Sequence, residues 1–128
     1  MPYNALAAAV RDTINQRRQA ALLPGLEANA ALTTAAQAYA ELHVATTLQL
    51  SHYLDAGPGD RAQRAGYSGS AGEVLVLTSG PAMPGAIVDV WMGSPPHWAV
   101  LMGAYQDIGT GCAVAGVTLC VGLVGLRY

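Results

Sequence analysis

Two of the chain's three histidines and one of its eight acidic residues lie beside glycine, serine or proline in three separate segments. These are Ser51-His52, Gly72-Glu73 and Ser94-Pro95-Pro96-His97-Trp98. Imidazoles bind divalent metals, and a carboxylate can orient an imidazole or activate a bound water. A packed core requires no such set, so a His/Glu/His cluster assembled by folding is the expected site. The alternative is a hydrogen-bonded pair of structural histidines that braces two loops through Glu73. Glu73 accepting from one imidazole would fix that ring's tautomer and raise its basicity. His43 carries no motif and is read as a core histidine beside Tyr39. Ser51 and Ser94 neighbour histidines in sequence, but neither stands in a GxSxG elbow, so no serine nucleophile is assigned.

The elements between these segments must do the positioning. Helical spacing of Leu6, Ala9/Val10 and Thr13/Ile14 predicts a helix from Asn4, its N-cap, to Ala21, with its arginines on the outer face. Arg17-Arg18 is read as a solvated pair. Leu23-Pro24-Gly25-Leu26 ends that helix. A second helix is expected over 30–48, capped by Asn29, with Leu32, Ala35/Ala36, Tyr39 and Leu42/His43 as its stripe. The segment from Ser51 to Gly59 reads as loop, and Asp60 as the cap of a short helix through Arg61 and Arg64 that stops at Gly66. Gly72 to Thr78 is an expected strand, apolar on both faces through Val74, Leu75, Val76 and Leu77. Pro81 and Pro84 mark a loop before a helix over 85–93 with Ile87, Val88 and Trp91 inward. A turn of helix after Pro95-Pro96 carries His97, Trp98 and Leu101. Trp91 and Trp98 are both placed in the core, Trp98 with the alternative of lining a cleft mouth. The chain is expected to end in a hairpin of 105–112 and 118–127. These elements predict an α+β or α-β-α layered fold in one domain, residues 1–128.

Composition narrows the function classes. Hydrophobic residues make up 52% of the chain and charged ones 11%, and a formal charge of −2 leaves no basic patch for nucleic acid or anionic lipid. The most apolar stretch, 117–126, is about half a membrane span and is broken by glycines, so no transmembrane segment is expected. No signal peptide is visible, because the Ala-rich start lacks a basic n-region; an exported protein would be read here as its mature form. Cys112 and Cys120 flank a segment suited to two strands and a turn, where a hairpin would bring them within disulfide reach. The disulfide is preferred over two buried thiols, and with it an oxidising compartment. A zinc site at the cysteines is excluded by the lack of a CxxC pair.

Read together, the motifs resemble the CAP superfamily, the SCP-like extracellular domains related to cysteine-rich secretory proteins, antigen 5 and pathogenesis-related proteins, and in particular its short bacterial branch. The matching pieces are Ile14-Asn15-Gln16-Arg17-Arg18 with Leu23-Pro24-Gly25-Leu26, Ser51-His52, Arg64-Ala65-Gly66-Tyr67, and Ala71-Gly72-Glu73. Trp91-Met92-Gly93-Ser94-Pro95-Pro96-His97 and Tyr105-Gln106-Asp107-Ile108-Gly109-Thr110-Gly111 follow in the family's order. The resemblance implies a three-layer α-β-α sandwich with a central, mostly antiparallel sheet and a cleft holding two histidines and two glutamates, often with a divalent cation such as zinc. By position His52 and His97 would face the metal, Glu73 would be the first glutamate, and Ser94 stands where the second is usual. The ligand cleft is thus expected from His52, Glu73, Ser94 and His97. Val74 and Pro96 depart from the family's Asn and Gly.

The function so implied is an extracellular or cell-envelope protein binding a small or lipid ligand, or a host or envelope partner, with an optional cation. Two alternatives stay open. One is a metal-assisted hydrolase in which His52 and His97 hold the ion and Glu73 is the base. The other is a structural or adhesion module.

Overall fold

The computed structural model describes residues 3–80 and 82–128; Pro81, read above as loop, lies outside them. Successive strand residues point to opposite faces, and in this chain both faces are apolar, so helices must cover each. Helices α1 (Tyr3–Ala20), α2 (Ala30–Thr46), α3 (Pro58–Arg64), α4 (Pro84–Met92) and α5 (Pro95–Leu101) surround strands β1 (Glu27–Ala28), β2 (Gly69–Ser79), β3 (Asp107–Val114) and β4 (Val117–Arg127). The sheet order is β1-β3-β4-β2. β3–β4 and β4–β2 pair antiparallel, and the two-residue β1 adds a parallel edge to β3. β2 therefore forms the other edge.

The alternation divides the interior into two cores. On one face Val74, Val76, Ile108, Cys112, Cys120 and Val124 pack with Leu6, Val10 and Ile14 of α1, Ile87, Val88 and Trp91 of α4, and Leu101 of α5. On the other, Leu75, Leu119, Val121 and Leu123 pack with Leu32, Ala35, Ala36 and Tyr39 of α2 and Ala62 of α3. The result is the three-layer α-β-α sandwich. α2 lies directly on β3: a Cβ added at Gly109 would overlap the backbone of Leu32 and Thr33.

Most predicted elements form with shifted ends. Asn29 caps α2 by accepting from the Leu32 amide at 3.0 Å. Asn4 lies inside α1, whose first residue is Tyr3. Asp60 does not cap α3: Pro58, favoured in the first helical position, starts the helix earlier, and Asp60 reaches back to the Gly57 amide at 3.1 Å. The larger correction concerns Arg18, which is buried and not solvated. Its guanidinium donates to the carbonyls of Pro24, Leu101 and Gly103, each at 2.9 Å, and those acceptors draw it inward. Trp98 is also corrected. It is half exposed, whereas Trp91 is fully buried and donates to the Leu75 carbonyl at 2.9 Å.

Cys112 and Cys120 face each other in the β3–β4 register and form the disulfide, inside the α1/α4 core. Closing a loop of this length contributes roughly 2–3 kcal/mol by limiting the unfolded chain. Replacing both cysteines by alanine should lower unfolding free energy by about that amount in urea titration, with little change in far-UV circular dichroism. Gly109→Ala should lower it by roughly 1–3 kcal/mol through overpacking, while the same change at half-buried Gly59, where an added Cβ meets nothing, should be near neutral in the same assay.

Candidate functional site

The predicted residues fall into two contacting pairs, His52 with Glu73 and Ser94 with His97, one from each helical layer. His52 lies on the segment joining α2 to α3, in one layer; Ser94 and His97 belong to the start of α5, in the other. Glu73 stands on β2 between them, with its side chain buried on the α3 side. α5 approaches the strand closely, since a Cβ on Gly72 would meet the Tyr105 hydroxyl at 2.9 Å and Val100 at 3.3 Å.

Delivery of His52 begins at the end of α2. Buried His43 bonds the Thr47 carbonyl through Nδ1 at 2.9 Å, and its Nε2 accepts from the Ser51 amide at 3.0 Å. This satisfies the ring fully, as expected of a core histidine, and turns the chain toward His52. The Tyr39 hydroxyl contacts the Ser51 carbonyl and accepts from the Leu54 amide at 3.2 Å. His52 then places Nδ1 2.8 Å from Glu73 Oε1, with its side chain 39% exposed and that of Glu73 at 0%. The other carboxylate oxygen, Oε2, accepts from Arg61 at 2.6 Å. A carboxylate so placed makes the Nδ1–H tautomer of neutral His52 the one that satisfies both groups, leaving its Nε2 lone pair outward.

At the second imidazole, His97 Nδ1 lies 2.9 Å from the Ser94 hydroxyl. Ser94 precedes α5 as its N-cap residue, but its side chain serves His97 and not the helix amides. Ser51, the other serine considered, accepts from the Tyr53 amide at 3.1 Å.

The sequence profile of the cysteine-rich secretory protein (CAP) family matches residues 11–121, a span that contains every residue of this site. The chain belongs to the CAP family. Solved structures agree on the fold of this CAP domain. An outer surface protein of Borrelia burgdorferi superposes with a TM-score of 0.87 at 21% identity, over 100% of this chain and 97% of that one. An extracellular SCP-domain protein of Bacillus anthracis gives 0.84 at 20% identity, over 98% of this chain. A cysteine-rich secretory protein of Staphylococcus aureus gives 0.69 at 15%, over 95% of this chain. This CAP domain spans about two fifths of each of the latter two proteins, 41% and 39%. None of the curated proteins compared with the chain matches significantly.

Whether a cation fits is decided by the donors. Both Glu73 oxygens are engaged, one by His52 and one by Arg61. The described residues contain no group of three or more His, Cys, Asp or Glu arranged to hold a metal ion. Two imidazole nitrogens remain, one short of the usual three-ligand set of catalytic zinc, so the residues do not fit such a centre. Sequence reasoning overlooked Arg61, whose side chain is 3% exposed. A signal existed: a carboxylate beside the apolar run 74–77 needs a cation, and the chain has only six basic residues.

Burial lowers the His97 pKa from its ordinary value, and the nearby charge of His52 lowers it further. The neutral ring is therefore favoured in the folded state. Its contribution to stability is complete above the unfolded value of about 6.5 and is lost as pH falls from there toward the depressed folded value. A proton NMR titration of the His97 Cε1–H should give a midpoint below 6.5. His52→Ala should move that midpoint upward without restoring it, because burial is the larger cause.

Proposed function

We propose that this CAP domain is an extracellular recognition module in which His52 and His97 present imidazole nitrogens to a ligand at the cell envelope. The observation that carries the reading is the engagement of Glu73. With both oxygens bonded and no side-chain surface open to water, it orients His52 and has no free lone-pair site facing a water molecule. That weighs against its use as a general base and favours binding over hydrolysis.

The ligand class is read from the exposed apolar residues next to the histidines along the chain. Leu48, Leu50 and Tyr53 are 52%, 43% and 72% exposed on the segment that carries His52, and Trp98 is 49% exposed next to His97. Apolar side chains beside nitrogen hydrogen-bonding groups suit an amphiphile, with an oxygen-bearing head at the histidines and an apolar body on the rim. A small lipid is thus preferred over a purely polar ligand. A divalent cation held by the two imidazoles would need water for its remaining positions and is not required for this recognition. The extracellular placement is supported by the Cys112–Cys120 disulfide and by the outer-surface and extracellular descriptions of the structural relatives.

Titration with vesicles of phosphatidylglycerol and phosphatidylethanolamine, and with a monomeric lysophospholipid, tests this. Saturable shifts of the His52 and His97 ring resonances are expected with the lysophospholipid. Tyr53→Ala and His52→Ala should each weaken binding about tenfold, the equivalent of ~1.4 kcal/mol. Absence of any shift, together with ester hydrolysis that responds to zinc and is lost in Glu73→Gln, would replace recognition by the hydrolase.

A further inference from the structure

Arg61 does more than neutralise Glu73. Its NH1 group donates to the His52 carbonyl at 2.9 Å, the Ala56 carbonyl at 2.8 Å and Asp55 Oδ1 at 3.1 Å, while NH2 serves Glu73. The guanidinium carbon sits 3.4 Å from the centre of the Tyr39 ring, the same tyrosine whose hydroxyl holds Ser51 and Leu54. One planar group thus ties α3 to β2, to α2 and to the segment 52–56. Ala56 has φ 84°, a left-handed conformation unfavourable for any residue with a Cβ, and it persists where neighbouring contacts over-determine it. The Arg61 bond to its carbonyl is such a contact.

We infer that Arg61 is the positioning residue of the histidine site, setting both the place and the tautomer of the His52 imidazole. Place follows from the carbonyl of His52 itself, which Arg61 holds while holding the carboxylate that His52 must reach. Tautomer follows from occupancy. With Arg61 on Oε2, Glu73 offers Oε1 to Nδ1, and the ring meets it with Nδ1–H, exposing Nε2 as an acceptor. The functional meaning rests on the recognition reading above, but the geometric claim does not. Lysine is a poor substitute: a single ammonium cannot span the His52 and Ala56 carbonyls and Glu73 together, nor stack on Tyr39.

Long-range proton–nitrogen NMR of the ligand-free protein tests the claim. Wild-type His52 should show one protonated Nδ1 and one bare Nε2. In Arg61→Lys this pattern should collapse toward tautomer averaging with a shifted Cε1 resonance, while the β3–β4 amide dispersion and the His97 pattern stay unchanged. Asp55→Asn, which removes one anchor and spares the carbonyl and Glu73 bonds, should leave the His52 pattern intact. If Arg61→Lys folds and retains the wild-type His52 tautomer and shift, Arg61 is ordinary structural glue and the inference fails. If Arg61→Lys does not fold, the wild type decides: resolved, slowly exchanging Arg61 Nη protons support the clamp, and a freely rotating guanidinium overturns it. Loss of lipid binding in wild type would end the recognition reading and leave these outcomes readable.

Discussion

A carboxylate placed inside a protein must be met by charge and hydrogen bonds, or its desolvation becomes prohibitive. Glu73 imposes that demand at the edge of this sheet, and the surrounding architecture answers it. Arg61 supplies the cation from α3, and His52 supplies the remaining donor. Removing one member of such a buried set typically costs about 3–5 kcal/mol, because the other is left uncompensated. The position of α3, the path of the segment before it and the orientation of His52 are therefore linked through one charge.

The second histidine is held by comparable means in the opposite layer. Arg18 collects the carbonyls of Leu101, the last residue of α5, and of Gly103 just after it, together with that of Pro24, and so fixes the end of the short helix that carries His97. Two buried arginines, Arg18 gathering carbonyl oxygens from a distant segment and Arg61 from the one just before its helix, anchor the two pieces of chain that present the imidazoles. Seven-residue helices such as α3 and α5 have little stability of their own, so tertiary anchors of this kind decide where they sit. The sandwich supplies the remaining condition. β2 is an edge strand, and α3 of one layer and α5 of the other both pack against it.

This division of labour explains what could be read in advance. Alternation and helical spacing place Val74, Leu75, Ile87, Val88 and Trp91 in cores, because burial of apolar groups is a local property repeated along an element. Asn29, His43 and the cysteine pair were legible for the same reason, each tied to neighbours near in sequence. Arg18 and Arg61 were not. An arginine in a helix is normally solvated. The acceptors that bury Arg18 lie up to 85 residues away, where no local pattern reveals them, while those of Arg61 lie within 12 residues and are signalled only by the buried charge of Glu73. Trp98 failed in the opposite sense: a large aromatic suggests a core, yet α5 is too short and too near the edge to bury both its faces. β1, two residues long, has no periodicity to detect.

By itself the sequence determined most of the elements, the pairing of the two cysteines and the residues able to do chemistry, since these follow from side-chain type and short-range spacing; the three-layer order entered through the family resemblance. Only the tertiary structure decided how that chemistry is apportioned. Glu73 could have faced water, a metal or a ring, and its allotment to His52 and Arg61 depends on which groups converge on one buried oxygen pair. That convergence depends on long-range packing and charge compensation.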